Sequence, residues 1–393
     1  MVTCDGATAL VTGGAGLIGS HIVDALLRRG CRVTILDNLE RHTHPHGRPD
    51  WIPRHRHLRF LKGDVCKVAD VKKALRGIDF IFHQAAFGGF TPQVSKYFDA
   101  NVSGTARIYE TIHRERLHIQ KIVVASSQAV YGEGAARCRV HGLVHPGRRS
   151  AAALRHSAWE PRCGSCARGV RSVPTPEDTP PDPWLPYALS KWGAERVALC
   201  LGQRFGIPTT ALRYAVTYGP RQSLFNPYTG VVSIFCTRIV NHRPPVLYED
   251  GHQTRDFIYV DDVARANLWV AERPQTDFHV YNVGTGRATR LSDLATLLIR
   301  LLNVPQLTPH VSGDFREGDA RHLVHDIRRL EHCGFHATIS LEQGLSQFVQ
   351  WLHRQGNVRE YFATAARILC RWGVVQSSVV SQTARAQRHR RRP

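Results

Sequence analysis

Gly13-Gly14-Ala15-Gly16-Leu17-Ile18-Gly19 follows the apolar run Ala9-Leu10-Val11 and opens directly into an amphipathic segment. An apolar strand that turns sharply into a helix through Gly-x-x-Gly-x-x-Gly leaves few architectures open. Gly13 allows the tight turn. Gly16 removes a side chain where a pyrophosphate would approach, and Gly19 lets helix and strand pack closely. Ile22, Ala25 and Leu26 have helical spacing, and Arg29-Gly30 closes the segment. The next apolar run, Val33-Thr34-Ile35-Leu36, ends in Asp37. An acid there accepts hydrogen bonds from a ribose, which favours NAD over its 2'-phosphorylated form.

The pattern continues. Leu58–Leu61, Phe80–His83 and Lys121–Ser127 read as strands; Val68–Leu75 and Asn101–Arg114 read as helices between them. A long helix is expected over Tyr187–Phe205, followed by a strand over Thr210–Tyr214. This alternation implies an α/β fold: a Rossmann-type doubly wound parallel sheet with a smaller C-terminal substrate-binding domain. The expected divisions are 1–186 for the NAD-binding part, 187–355 for the remaining sheet elements interleaved with the substrate-binding domain, and 356–393 for a C-terminal extension. Residues 134–186 interrupt the pattern, being rich in Arg, Pro, Gly, Cys and His. An insertion over about 134–180 is too long for an ordinary connection, so it is either functional or unstructured.

No apolar run approaches the ~18–20 residues of a membrane span, and the amino terminus has no basic region before an apolar block. The expectation is a cytoplasmic protein. Ten scattered cysteines suit thiols or a metal site in a reducing compartment better than a disulfide framework. The net charge of +20 raises nucleic acid as a partner. The charge is dispersed, however, and part of it sits in a tail (Arg385, Arg388, Arg390, Arg391, Arg392) without apolar periodicity. It reads as solvated surface and a disordered basic tail.

Tyr187 and Lys191 lie four apart at the start of the long helix, hence on one face. An ammonium one turn away would lower the phenol pKa from about 10 and make Tyr187 a general base. Ser127 ends a predicted sheet strand, where open α/β sheets bind ligands, and its hydroxyl can meet the same reacting oxygen.

In order along the chain stand TGGAGLIG, Asp37, GDV at 63–65, HQAA at 83–86, NVSGT at 101–105, SSQAVYG at 126–132, YALSK at 187–191, LRYAVTYGPRQ at 212–222 and TRDFIYVDDVA at 254–264. In these motifs, over about residues 7–350, the sequence resembles the extended short-chain dehydrogenase/reductase family, especially its NAD-dependent nucleotide-sugar epimerases and dehydratases. The resemblance implies that Leu17, Ile18, Asn38, Asp64, Val65, Ala85, Ala86 and Asn101 belong to the cofactor site, with Lys191 at the nicotinamide ribose. It implies nucleotide-sugar contacts from Ser127, Arg221, Arg255 and Arg316, since a guanidinium fork matches phosphate oxygens. It also implies a homodimer packed through helices that include the Tyr187 helix.

Dehydratases of the group carry an acid pair after the hydroxyl residue, whereas Ser127 is followed by Gln128 and Ala129. The resemblance therefore implies 4-epimerisation of a nucleotide-hexose through a 4-keto intermediate. A dehydrogenase, reductase or dehydratase of the same fold, and a non-catalytic NAD-binding regulator, are the competing readings. Within the insertion, Cys138-x-x-His141 and Cys163-x-x-Cys166 have the spacing of a tetrahedral zinc ribbon, with His145 and His156 as competing ligands.

Overall fold

A computed structural model describes residues 3–381 except 90, 92, 227–229, 357 and 380; the arginine-rich tail lies outside the described residues. Strands β1 (Thr8–Thr12), β2 (Arg32–Asp37), β3 (Leu58–Lys62), β4 (Phe80–His83), β5 (Lys121–Ser127), β6 (Thr209–Tyr214) and β7 (Val280–Val283) form one sheet. Its order is β7-β6-β5-β4-β1-β2-β3, and every pair is parallel. The central strands are apolar on both faces because helices cover both. One layer holds α1 (Leu17–Arg28) and α5 (Val260–Ala271). The other holds α2 (Val68–Ala74), α3 (Gly104–Arg114) and α4 (Pro186–Phe205). The strand order reverses between β1 and β4, which opens a crevice at their carboxyl ends.

The sequence expectation of one helix over 101–114 is refined. Residues Phe98–Ser103 form a π-helical turn before the regular helix begins at Gly104. Such turns recur at functional sites, and this one carries Asn101. A second apolar core, built from Phe235, Ile239, Leu294, Leu298, Leu345 and Phe348 among others, supports the C-terminal lobe. The segment beyond 355 also packs back: Gln376–Ser377 pairs antiparallel with Asp314–Phe315.

The insertion is ordered. Gly142–Val144, Ala136–Cys138 and Arg171–Ser172 form a small antiparallel sheet, and Ser150 caps a short helix, Ala151–Arg155. Its only sizeable apolar anchor among the described residues is Leu154 and Trp159 against Phe315.

Two histidines, His83 and His325, are fully buried, and burial lowers each to about 3. In the unfolded chain an imidazole titrates near 6.5, so the unfolded state binds more protons between these values. This stability is complete above about pH 6.5 and declines as the pH falls toward 3. At pH 5 each histidine should cost about 2 kcal/mol. The urea midpoint is expected to drop between pH 7.5 and 5, and His83→Asn should remove part of that drop. A pH-independent difference between wild type and variant contradicts the assignment.

Candidate active site

The glycine loop is shaped by close approaches. Gly13 has φ +66°, and a Cβ there would lie 2.8 Å from the backbone of Ala85. A Cβ at Gly19 would overlap the Gly13 carbonyl oxygen. At Gly16, by contrast, a Cβ meets only the Gly13 oxygen at 3.4 Å, so its outer side faces no protein atom closely. Gly16 is the N-cap of α1, with no side-chain cap and no acid in the first turn. Leu17 and Ile18 turn their side chains into the apolar cores. The first-turn N–H groups are thus left for an anion.

Asp37 closes the second strand. Its Oδ2 accepts from Ala15 N and its Oδ1 from Leu39 N, both at 2.9 Å, which fixes the carboxylate beside the loop. A cavity of about 380 Å³ runs from Gly13 and Gly16 past Asp37 and Asn38 to Asp64, Val65, Ala85 and Ala86. Burial opposes ionisation of Asp64, but hydrogen bonds from Cys66 and Asn38 outweigh it and hold the carboxyl below its usual range. An elongated groove with an uncapped helix end, bare glycines and a terminal acid fits a dinucleotide.

Beneath it runs a polar chain absent from the sequence reading. Ala85 N donates to Thr12 Oγ1 (3.1 Å), and Thr12 Oγ1 meets His83 Nδ1 (2.7 Å). His83 Nε2 meets Thr105 Oγ1 (2.9 Å), which donates to Asn101 O. The donor order assigns the proton to Nε2. Asn101, expected in the cofactor site, is buried and tied within the protein. Its amide exchanges bonds with Phe87 N and O and donates to Ser190 Oγ, and Ser190 in turn donates to Tyr187 O. It positions the groove wall against α4.

Pro186 occupies the first turn of α4, so Tyr187 and Lys191 project from consecutive turns. Burial raises the Tyr187 pKa, a hydrogen bond with Ser127 lowers it, and the net shift is upward. Lys191 donates to Ala125 O, and burial lowers its ammonium to about 8. In this arrangement the Lys191 ammonium is held by the central strand β5, and loss of water around the ring dominates the Tyr187 shift. Ser127 caps the turn Gln128–Tyr131 through Ala129 N. Gln128 Oε1 is buried without a hydrogen-bond partner among the described residues. One turn beyond Lys191, Glu195 pairs with Arg213 (2.6 Å) and accepts from Ser126 Oγ (2.6 Å). The 187–191–195 spacing was the available sequence signal for it.

The arginines fare differently. Arg221, expected at the nucleotide sugar, pairs with Asp24 of α1 (2.6 Å) and donates to Ser20 O. Arg255, expected at the pyrophosphate, commits its terminal nitrogens to the oxygens of Thr254, Arg321, Asp319 and Ala320. In this arrangement nearby acceptors occupy both forks. Arg316 lies over the Tyr248 ring at 5.0 Å.

In the insertion, the ligand atoms of Cys138, His141, Cys163 and Cys166 all lie within 4.8 Å of one another. Tetrahedral zinc, with bonds of about 2.3 Å to sulfur and 2.0–2.1 Å to nitrogen, requires ligand separations of roughly 3.5–3.8 Å. The separations are 3.7 Å for Cys138–Cys166, 3.8 Å for Cys138–His141 and 3.4 Å for Cys163–His141. Main-chain N–H groups of Val140 and His141 lower Cys138 to about 6. His145 instead faces Gly134 O.

This glycine-loop, Ser–Tyr–Lys arrangement on a doubly wound sheet defines an extended short-chain dehydrogenase/reductase-type protein. The chain belongs to the NAD dependent epimerase/dehydratase family, whose model matches residues 9–148 and 163–284. It is 33% identical over 360 residues to dTDP-L-rhamnose 4-epimerase of Burkholderia thailandensis, covering 89% of this chain and 96% of the relative. It is 31% identical to a putative UDP-glucose 4-epimerase of Methanocaldococcus jannaschii, covering 87% and 97%. Among solved structures, UDP-glucose 4-epimerase of Thermotoga maritima with UDP-glucose superposes with a TM-score of 0.72 at 28% identity, covering 89% and 100%. No helix among the described residues is long and apolar enough to cross a membrane.

The Asp37 geometry predicts a preference for NAD over NADP, because a carboxylate repels a 2'-phosphate. Asp37→Asn should narrow the ratio of the two dissociation constants by about tenfold, within the range for a charged hydrogen-bonding partner. Equal affinities in the wild-type apoprotein would overturn the assignment.

Proposed function

We propose that the protein is an NAD-dependent nucleotide-sugar 4-epimerase that inverts C4 of a dTDP- or UDP-hexose through a transient 4-keto sugar. The observation that carries this reading is Ser127, at the end of β5, brought against Tyr187 of α4 beside a dinucleotide groove, with the neutral pair Gln128-Ala129 next in sequence. Bound NAD supplies a reversible acceptor for the C4 hydrogen. Tyr187 takes the proton of the 4-hydroxyl and returns it to the inverted oxygen, and Ser127 holds that oxygen in place. Lys191 supplies positive charge at the base of the groove. No carboxylate follows Ser127 to remove the 5-proton that a 4,6-dehydration requires. Arg316 is the guanidinium we assign to the diphosphate, and a homodimer through the Tyr187 helix accompanies this reading.

The test is incubation with a panel of UDP- and dTDP-hexoses, without added NAD, and separation of epimers. One substrate should equilibrate with its 4-epimer. Tyr187→Phe should lose about 10²–10⁴ in rate while keeping bound NAD, the scale of losing a general base. Near-normal turnover in that variant, or a 4-keto-6-deoxy product from wild type, sinks the reading.

The same reading includes one structural zinc ion held by Cys138, His141, Cys163 and Cys166. It would order a segment whose apolar content is small, and the hydrogen transfer needs no metal. Protein purified without chelator should contain about one zinc per chain by elemental analysis. A metal-free preparation that retains the wild-type melting temperature rules the ion out.

A further inference from the structure

We infer that Arg149 is the positioning residue through which the insertion sets the shape of the 316–321 loop, and with it the affinity for a nucleoside diphosphate. The inference rests on the nucleotide-sugar reading above.

Arg149 is buried, and each nitrogen of its guanidinium has a partner. Nε meets Glu133 (2.6 Å), Nη1 meets Glu249 (2.9 Å) and the Trp159 carbonyl (3.0 Å), and Nη2 meets the Asp319 carbonyl (2.6 Å). The next two carbonyls, of Ala320 and Arg321, accept from Arg255. Three consecutive carbonyls of one loop are thus held by two guanidinium groups, which fixes the loop's path three residues beyond Arg316. Glu133 and Glu249 each bridge to the loop a second time. Glu133 accepts from Arg321 N (2.7 Å) and Glu249 from Arg321 Nη1 (2.9 Å). Arg321 also reaches Glu160 and Asp250. At the other end of the loop, Phe315 packs on Leu154 and Trp159, and Glu317 pairs with Arg148 (3.3 Å).

The chemistry of this contact follows from its charges. Removing one partner of a buried ion pair leaves an uncompensated charge, so the buried pairs of Arg149 with Glu133 and Glu249, and of Arg321 with Glu249, resist rearrangement. The family model leaves residues 149–162 unmatched, and that stretch contains Arg149, Trp159 and Glu160. None of these residues approaches Tyr187 or the glycine loop in the hydrogen-bond pattern, so the effect falls on substrate affinity.

The experiment is calorimetric titration of the NAD-loaded full chain with UDP and with dTDP, for wild type, Arg149→Met and Arg149→Lys. Arg149→Met should weaken the tighter-bound diphosphate about tenfold. Arg149→Lys, which keeps the charge but not the fork, should weaken it about threefold. Bound NAD should be unchanged in both. With whichever nucleotide-hexose the wild type turns over, KM should rise in parallel and kcat stay within about threefold. If Arg149→Met does not fold, Arg149→Lys carries the test. Undiminished diphosphate affinity in a folded Arg149 variant overturns the inference, as does a loss confined to kcat or NAD content. Wild type that binds neither diphosphate overturns the nucleotide-sugar reading itself.

Discussion

The close approach of Gly13 to Ala85, at the point where the strand order reverses, is the constraint on which the rest of the molecule depends. A Cβ at Gly13 would force β1 and β4 apart at their carboxyl ends, and a Cβ at Gly19 would lift α1 off the loop. Either change closes or displaces the groove, because its floor is backbone. Thr12 and His83 stand on these two strands and are bonded to each other, so the same approach also fixes the polar chain that reaches Asn101. From there the tie runs through Ser190 to the turn carrying Tyr187. The cofactor groove and the proposed base are thus positioned by one continuous set of contacts.

The face of α4 shows how electrostatics were arranged around that base. Tyr187, Lys191 and Glu195 descend one face at helical spacing, and each has a different solution to burial. The phenol interacts with Ser127, which offsets part of the upward push from burial. The ammonium has a carbonyl partner and titrates near the working range, at about 8. The carboxylate is fully paired with Arg213, which also stacks 4.7 Å over Tyr131. Removing one member of such a pair would leave an uncompensated buried charge, typically at a cost of about 3–5 kcal/mol. The pair therefore constrains where β5, β6 and α4 can sit relative to one another.

Much of this was legible in the amino-acid order. Strands such as Ala9–Thr12 and Ile122–Ala125 announce themselves because parallel strands covered on both faces must be uniformly apolar. The glycine spacing, Asp37 and the Tyr187–Lys191 pair are local patterns, so local reading suffices. The cysteine pairs also met in space as their spacing required. What could not be read were partners set by tertiary contact. Arg221 and Arg255 stand in motif segments, yet their forks meet Asp24, the Asp319 carboxylate and the Ala320 and Arg321 carbonyls, which are far away or featureless in sequence. The partners of the Asn101 amide, Phe87 and Ser190, are likewise revealed only by the fold. The π-helical turn at Phe98–Ser103 leaves no periodicity that distinguishes it from the helix it precedes.

The insertion illustrates how a poorly apolar segment becomes part of a rigid site. Leu154 and Trp159 bury against a single phenylalanine, an apolar contact too small to order so long a stretch against chain entropy of about 1–2 kcal/mol per residue. Two further devices make up the difference. At one end the ligand atoms of Cys138, His141, Cys163 and Cys166 converge to within 4.8 Å of one another. At the other, Arg149 and Glu160 enter a charge network with Glu249 and Arg321 of the C-terminal lobe. Each device alone would leave the opposite end loose. Together they span the insertion from its cysteine knuckle to the loop beyond Arg316.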